Sequence, residues 1–348
     1  MKVRWIASAV ALAVGLSACG SDTQNVEQSG TGPNNAKVTL NLGYFPNVTH
    51  APAVYGVQNG DFASTLGTDV NLKTSTYTAG PAAVEALFSG AIDAAFVGPG
   101  PASSAYSKSN GEAARVVAGV ASGGAFLVVQ PEITNAEGLK GKKIADPQLN
   151  GTQDIALRWY LKQHGYKTDT TGGGDVNVVP QENAQTLDAF KAKEIDGAWV
   201  PEPWATRLVD AGGKVLVDER DEWPDKAFVT TVLIVSPKYL KAHPDVVKKL
   251  IEATQNAIDA INDDPDKAAE VVSQGIEKIT TKPIKVELVT ASFKSIAFTL
   301  DPLAATLRTV ADHAVQLELA KPTDLSGLFD LTLLNEVLKA NGQPEVEA

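Results

Sequence analysis

The stretch 83–97, opening Ala83-Val84-Glu85-Ala86-Leu87, recurs in pattern at 186–200, opening Thr186-Leu187-Asp188-Ala189-Phe190. Each copy sets apolar residues at helical spacing, turns, takes an Ile-Asp step (Ile92-Asp93, Ile195-Asp196) and finishes in a short apolar run. Both runs stop at loops broken by Gly and Pro: Gly98-Pro99-Gly100-Pro101 in the first, Pro201-Glu202-Pro203-Trp204 in the second. A helix–turn–strand unit used twice predicts an α/β chain of two similar lobes, and paired lobes predict a cleft between them.

The rest of the sequence fits that plan. Alternating or β-branched runs at 37–42, 70–77, 115–120, 125–130, 176–179, 214–217 and 228–235 predict strands separated by helical segments. Such alternation points to a mostly parallel sheet flanked by helices in each lobe. The final third has the 3.6-residue period of helices, with Val247, Leu250, Ile251, Thr254, Ile258 and Ile261 on one face. Further helices are expected at 284–298, 303–318 and 331–341, without strands. Lobe 1 is therefore read as 37–130 and 232–348, and lobe 2 as 131–231. Segments 128–133 and 228–235 form a two-segment hinge.

The first residues bear on location. Lys2 and Arg4 precede an apolar run of signal-peptide length, which ends in Leu16-Ser17-Ala18-Cys19-Gly20. That ending resembles a bacterial lipobox, in which the cysteine is lipidated and becomes the first mature residue. Residues 1–18 are expected to be a signal peptide, Cys19 the lipidation site, and 19–36, rich in Ser, Asn, Gln and Gly, a flexible tether. The body would then be extracytoplasmic and held to the cell membrane by lipid. Cys19 is the only cysteine, which excludes a disulfide or a thiolate metal cluster. A net charge of −11 argues against nucleic acid.

Ligands of open α/β sheets bind where strands end and helices begin. The residues that collect there are Tyr44, Phe45, Asn47, His50, Gly80, Pro81, Gly98, Pro99 and Gly123 from lobe 1. Lobe 2 offers Thr152, Gln153, Asn183, Trp199, Glu202 and Trp204. They supply uncharged hydrogen-bond donors and aromatic walls, which suit a small anion with an organic tail. Several have plainer readings: glycines as turn formers, Thr152 and Gln153 as helix-start residues, Trp199 as core, Glu202 as one half of a surface pair with Arg207. His50 lacks a second histidine at ligand spacing, so no metal is expected. No nucleophile elbow, phosphate loop or zinc motif appears, and Asp154, Glu182 and Glu202 show no acid–base partner.

Read together, these segments resemble the substrate-binding lipoproteins of bacterial ABC importers for nitrate, aliphatic sulfonates and taurine. The likeness is carried by Thr49-His50-Ala51-Pro52-Ala53, Gly80-Pro81-Ala82-Ala83-Val84-Glu85 and Val97-Gly98-Pro99-Gly100-Pro101. It continues in Leu139-Lys140-Gly141-Lys142-Lys143, Gly151-Thr152-Gln153-Asp154, Trp199-Val200-Pro201-Glu202-Pro203-Trp204 and Phe228-Val229-Thr230-Thr231. The resemblance implies a two-lobed type II periplasmic-binding-protein fold that closes on its ligand. It implies a monomer that binds a small anion, an aliphatic or aryl sulfonate or a taurine-like molecule, without cofactor or catalysis. The partners it implies are an ABC permease and its ATPase. Nitrate, bicarbonate or a heterocyclic vitamin precursor are the alternative ligands, and a cleft enzyme or a sensor lobe the alternative classes. A eukaryotic branch that makes the thiamine pyrimidine carries a cysteine cluster, which a chain with Cys19 alone does not match.

Overall fold

Eleven strands form two separate sheets in the computed structural model, which describes residues 37–348. The expected signal segment, Cys19 and the tether lie outside the described residues. Described residues 37–348 make one compact unit. The strands are β1 (Val38–Tyr44), β2 (Val70–Thr76), β3 (Ala94–Val97), β4 (Arg115–Gly123), β5 (Ala125–Val129) and β6 (Lys143–Asp146). The remainder are β7 (Asn177–Pro180), β8 (Gly197–Pro201), β9 (Lys214–Asp218), β10 (Val229–Val235) and β11 (Ile296–Phe298). The first sheet has the order β11-β4-β10-β3-β1-β2 and the second β7-β6-β8-β5-β9.

The repeated units occupy matching places. Helix Gly80–Phe88 leads into β3 and helix Asn183–Lys191 into β8, each strand central in its sheet. Helices cover both faces of each sheet. On one face of the first, Leu250, Ile251 and Val272 of helices Pro244–Asp263 and Pro265–Thr280 share a core with Leu40, Phe96 and Val117. On its other face Val84, Ala105 and Leu307 pack with Val97 and Ile234. The second sheet is likewise buried between Leu157, Leu161 and Trp199 on one side and Phe190, Ala205 and Leu208 on the other. Strands covered on both faces read as near-continuous apolar runs, as Val232 to Val235 of β10 do.

Three expectations are corrected. The sheets are mixed rather than mostly parallel. β1 pairs in parallel with β2 and β3, and β6 with β7 and β8, but β10 runs antiparallel to β3 and β4, and β5 antiparallel to β8 and β9. The antiparallel strands enter their sheets from the other lobe, so no crossover helix forces them parallel. Secondly, β5 belongs to the second sheet and all of β10 to the first, so the chain changes lobes at Gly123–Gly124 and again between β9 and β10, not at 130/131 and 231/232. Gly123 and Gly124 both take positive φ, 81° and 72°. Their backbones also sit so close to Ser295 O and the Ile296 side chain that an added Cβ would lie 2.5 and 2.4 Å away. Thirdly, the C-terminal third is not strand-free, because β11 adds an edge to β4.

Candidate functional site

Between the lobes lies a cavity of ≈ 40 Å³. Its lining includes Phe45, Asn47, His50, Gly80 and Gly98 from the first lobe and Thr152, Gln153 and Asn183 from the second. All eight are sequence candidates. These residues belong to loops that follow β1, β2, β3, β6 and β7, because each strand delivers its chain to the same end of its sheet.

Helices begin at five places around the cavity. They are Ala51–Asn59 after His50, Gly80–Phe88, Pro99–Lys108 after Gly98, Thr152–Gln163 and Asn183–Lys191. None of the five is capped by its own N-cap side chain. Gly100 N of the Pro99–Lys108 helix is taken by Thr152 Oγ1 and Ala51 N by the Val48 carbonyl, which leaves first-turn amides at the Gly80, Thr152 and Asn183 starts. The first-turn amides of a helix have no intrahelical partner, and the helix dipole adds partial positive charge there. Among the other described α-helices only Pro237–Ala242 and Pro265–Thr280 are capped by their N-cap side chains, Ser236 and Asp264, so what sets the five apart is that their starts converge on one cavity.

No Asp, Glu, Lys or Arg lines the cavity. His50 is buried at 3% exposure, and burial lowers its pKa to about 3, which keeps the ring neutral near pH 7. Its Nδ1 has no hydrogen-bond partner among the described residues. Asn183 Oδ1 and Gln181 Nε2, at the start of the Asn183–Lys191 helix, are also buried and unpartnered. Buried polar atoms are rarely left so unless something else satisfies them. Asn183 Oδ1 is an acceptor and Gln181 stands outside the lining. The donors the cavity offers are therefore its threonine hydroxyls and the first-turn amides at Gly80, Thr152 and Asn183, in a dipole field that favours negative charge, which suits an oxyanion.

Contacts across the cleft hold the lobes together. Gly100 N donates to Thr152 Oγ1 at 3.3 Å, Trp204 Nε1 to Asn47 Oδ1 at 2.9 Å, and Thr78 Oγ1 to Glu182 Oε1 at 3.2 Å. Val48 N donates to the Glu202 carbonyl at 3.1 Å. Behind the Thr152 loop, Asp154 and Arg158 form a buried ion pair at 2.6 Å, and Asp154 Oδ2 accepts from Asn150 N at 2.9 Å. Asp146 beside them is fully buried, and burial, then proximity to Asp154, raises its pKa well above the usual range.

Other candidates stand off the cavity. Tyr44 faces the first core, and Pro81 and Pro99 sit in helix first turns where a missing N–H costs nothing. Gly123 makes the lobe crossing described above. Trp199 is core in lobe 2, its Nε1 donating to Glu219 at 2.7 Å. Glu202 turns its carboxylate onto Thr206 N and Oγ1, at the start of helix Trp204–Asp210, and accepts from Ser292 Oγ. Burial raises its pKa. Trp204 lines an adjoining chamber instead. Thr49, Thr78, Pro101, Gln148, Pro201 and Thr230 line the cavity unannounced. All but Thr230 lie at or just beyond strand ends, Pro201 as the last residue of β8 and Pro101 in the first turn of the Pro99–Lys108 helix. Among the described residues no group of three or more His, Cys, Asp or Glu could hold a metal, and no helix is long and apolar enough to cross a membrane.

Known proteins resemble this chain in sequence and in fold. The NMT1-like family matches residues 33–275. A binding protein of Brucella abortus is 28% identical over 204 residues, 58% of this chain and 60% of that protein. The taurine-binding periplasmic protein of Escherichia coli K12 is 30% identical over 209 residues, 60% of this chain and 62% of that protein. The chain thus spans about 60% of the length of the curated relatives it matches. The periplasmic nitrate-binding protein NrtA of Synechocystis PCC 6803 superposes with a TM-score of 0.75 at 15% identity, over 87% of this chain and 89% of that one. The alkanesulfonate-binding protein SsuA of Xanthomonas axonopodis pv. citri, bound to MOPS, does so with 0.69 at 19% identity, over 82% and 95%. The fold is that of the periplasmic binding proteins.

Proposed function

The chain belongs to the NMT1-like family, and we propose that it is the substrate-binding protein of an ABC importer, capturing a small organic sulfonate between its lobes and handing it to a permease. One observation carries the reading: helices of both lobes begin at an interlobe cavity that no charged side chain lines, and the starts at Gly80, Thr152 and Asn183 keep first-turn amides that no cap side chain takes. An oxyanion there replaces its lost water with amide and hydroxyl donors and gains the dipoles of the helices that face it. Neutral donors suit a site that must also release its cargo, since a buried lysine or arginine partner would hold the anion as a full ion pair. Proteins of this work lie outside the cytoplasm, and the lipobox-like Leu16-Ser17-Ala18-Cys19 would anchor the body to the membrane as a monomer beside its permease.

Closure forms the site. Gly98 and Gly100 on one lobe meet Thr152 on the other, so the donors come together only when the lobes touch. The lining holds no carboxyl group, and burial keeps its one histidine neutral. The small inner volume favours a second reading, with nitrate or bicarbonate filling the cavity alone. Calorimetric titration with propane-1-sulfonate, taurine, nitrate and bicarbonate separates them. A sulfonate is expected to bind most tightly and, at a hundred times its Kd, to stabilise the fold by about 2.7 kcal/mol. Binding of nitrate or bicarbonate with no response to any sulfonate would replace the sulfonate with the inorganic anion.

A further inference from the structure

A second chamber of ≈ 170 Å³ adjoins the first, and Asn47, Thr78 and Asn183 line both. Its walls are largely apolar, with Pro46, Pro203, Ile276 and the Trp204 indole, yet Arg207 and Lys282 also face it. The Arg207 guanidinium lies 4.7 Å from the centroid of the Trp204 ring. It is half-buried, and burial lowers its pKa without neutralising it. Among the described residues neither Arg207 nor Lys282 forms an ion pair. Glu182, the one acid of the chamber, accepts from Thr78 Oγ1 instead. The indole is itself fixed, since its N–H is bonded to Asn47 Oδ1 across the cleft.

A guanidinium drawn partly out of water and held over an aromatic ring is a preformed fork for a carboxylate, and a charge so placed ordinarily has an anionic partner. We propose that this chamber is a subsite for a second anionic group, so that the ligand is a short sulfonate bearing a carboxylate at its far end. The sulfonate fills the inner cavity, the methylene spacer passes Asn47, Thr78 and Asn183, and the carboxylate meets Arg207 over Trp204 with Lys282 beside it. This rests on the oxyanion reading of the inner cavity. It also predicts discrimination: the ammonium of taurine would meet two cations, and nitrate would leave the chamber empty.

Titration calorimetry of the folded chain with 3-sulfopropionate, propane-1-sulfonate and taurine tests it, since the first two share a spacer and differ only in carboxylate against methyl. The carboxylate is expected to raise affinity about tenfold or more over propane-1-sulfonate, with taurine weakest of the three. In Arg207→Gln, and to a lesser degree Arg207→Lys, the ratio of the two affinities should fall towards one. Equal binding of the two sulfonates by the unaltered protein, or a preference for taurine, overturns the subsite and leaves the inner oxyanion site standing. Absence of binding by every sulfonate overturns the inner reading and this one with it.

Discussion

Gly98→Ala isolates closure from folding. Gly98 has φ −77° and ψ 167°, an extended backbone that alanine adopts without strain. The added methyl, however, would stand 2.2 Å from Thr152 Oγ1 and 3.2 Å from Thr152 Cβ, atoms of the opposite lobe. Ordinary contact begins near 3.4 Å, so relief needs the lobes to part by about 1.2 Å or the Thr152 hydroxyl to turn away. Turning it abandons the bond from Gly100 N, worth about 1 kcal/mol, and leaves the close Cβ contact. Together with residual overpacking the closed form should lose about 2 kcal/mol. A ligand that requires closure then binds roughly thirtyfold more weakly, because the competent population has fallen. Each lobe's own core is untouched, so the ligand-free melting temperature should change little. Calorimetry on Gly98→Ala, Thr152→Ala and the double variant gives the answer. The two effects should be less than additive, since without Oγ1 the severest overlap is gone. Unchanged affinity in Gly98→Ala, or full additivity, would refute this account of closure.

Three further substitutions probe the supports of the site. Trp204→Phe keeps an aromatic ring, though a smaller one, and loses the bond to Asn47 Oδ1, so affinity should fall about fivefold by calorimetry; no change would place that bond outside closure. Arg158→Met strands the buried Asp154 carboxylate and should cost about 3–5 kcal/mol in denaturant unfolding, loosening the Asn150 loop; a loss under about 1 kcal/mol would contradict a functioning buried pair. Glu219→Gln addresses pH. Burial pushes the Glu219 carboxyl up to about 7 from 4.5, so its contribution is complete below about pH 4.5 and is lost as pH rises through 7, some 3 kcal/mol in all. Relative to Glu219→Gln, the unaltered protein should therefore lose stability in melts from pH 5 to pH 8; parallel curves would deny the shifted carboxyl.

How much of this is written in the sequence depends on the range of the signal. The repeated helix–turn–strand units announced β3 and β8, and the Gly and Pro after them marked Gly98 and the Pro201 loop, because strand ends and helix starts have local chemistry. Thr152, Gln153 and Asn183 were legible for the same reason. Strand direction was not: the apolar period of β10 is identical whether it runs with or against β3, and its partners are remote in the chain. The same remoteness hid Thr230, which lies inside that strand yet lines the cavity. β11, with three residues, is too short to show a period. Trp199 misled through alternation, since on β8 its ring points into the Leu157 side of the core rather than towards the cleft. Glu202 looked available in the sequence because nothing local shows that Thr206 and Ser292 would occupy its carboxylate.

The central claim is that helix-start amides, without a charged side chain, hold the anion. Amide ¹H–¹⁵N NMR spectra recorded while propane-1-sulfonate is added test it most directly. The largest shifts should fall on the amides of Gly80, Gly98, Thr152, Gln153 and Asn183, in both lobes together. Shifts confined to a single lobe, or centred on residues outside the helix starts, would contradict it.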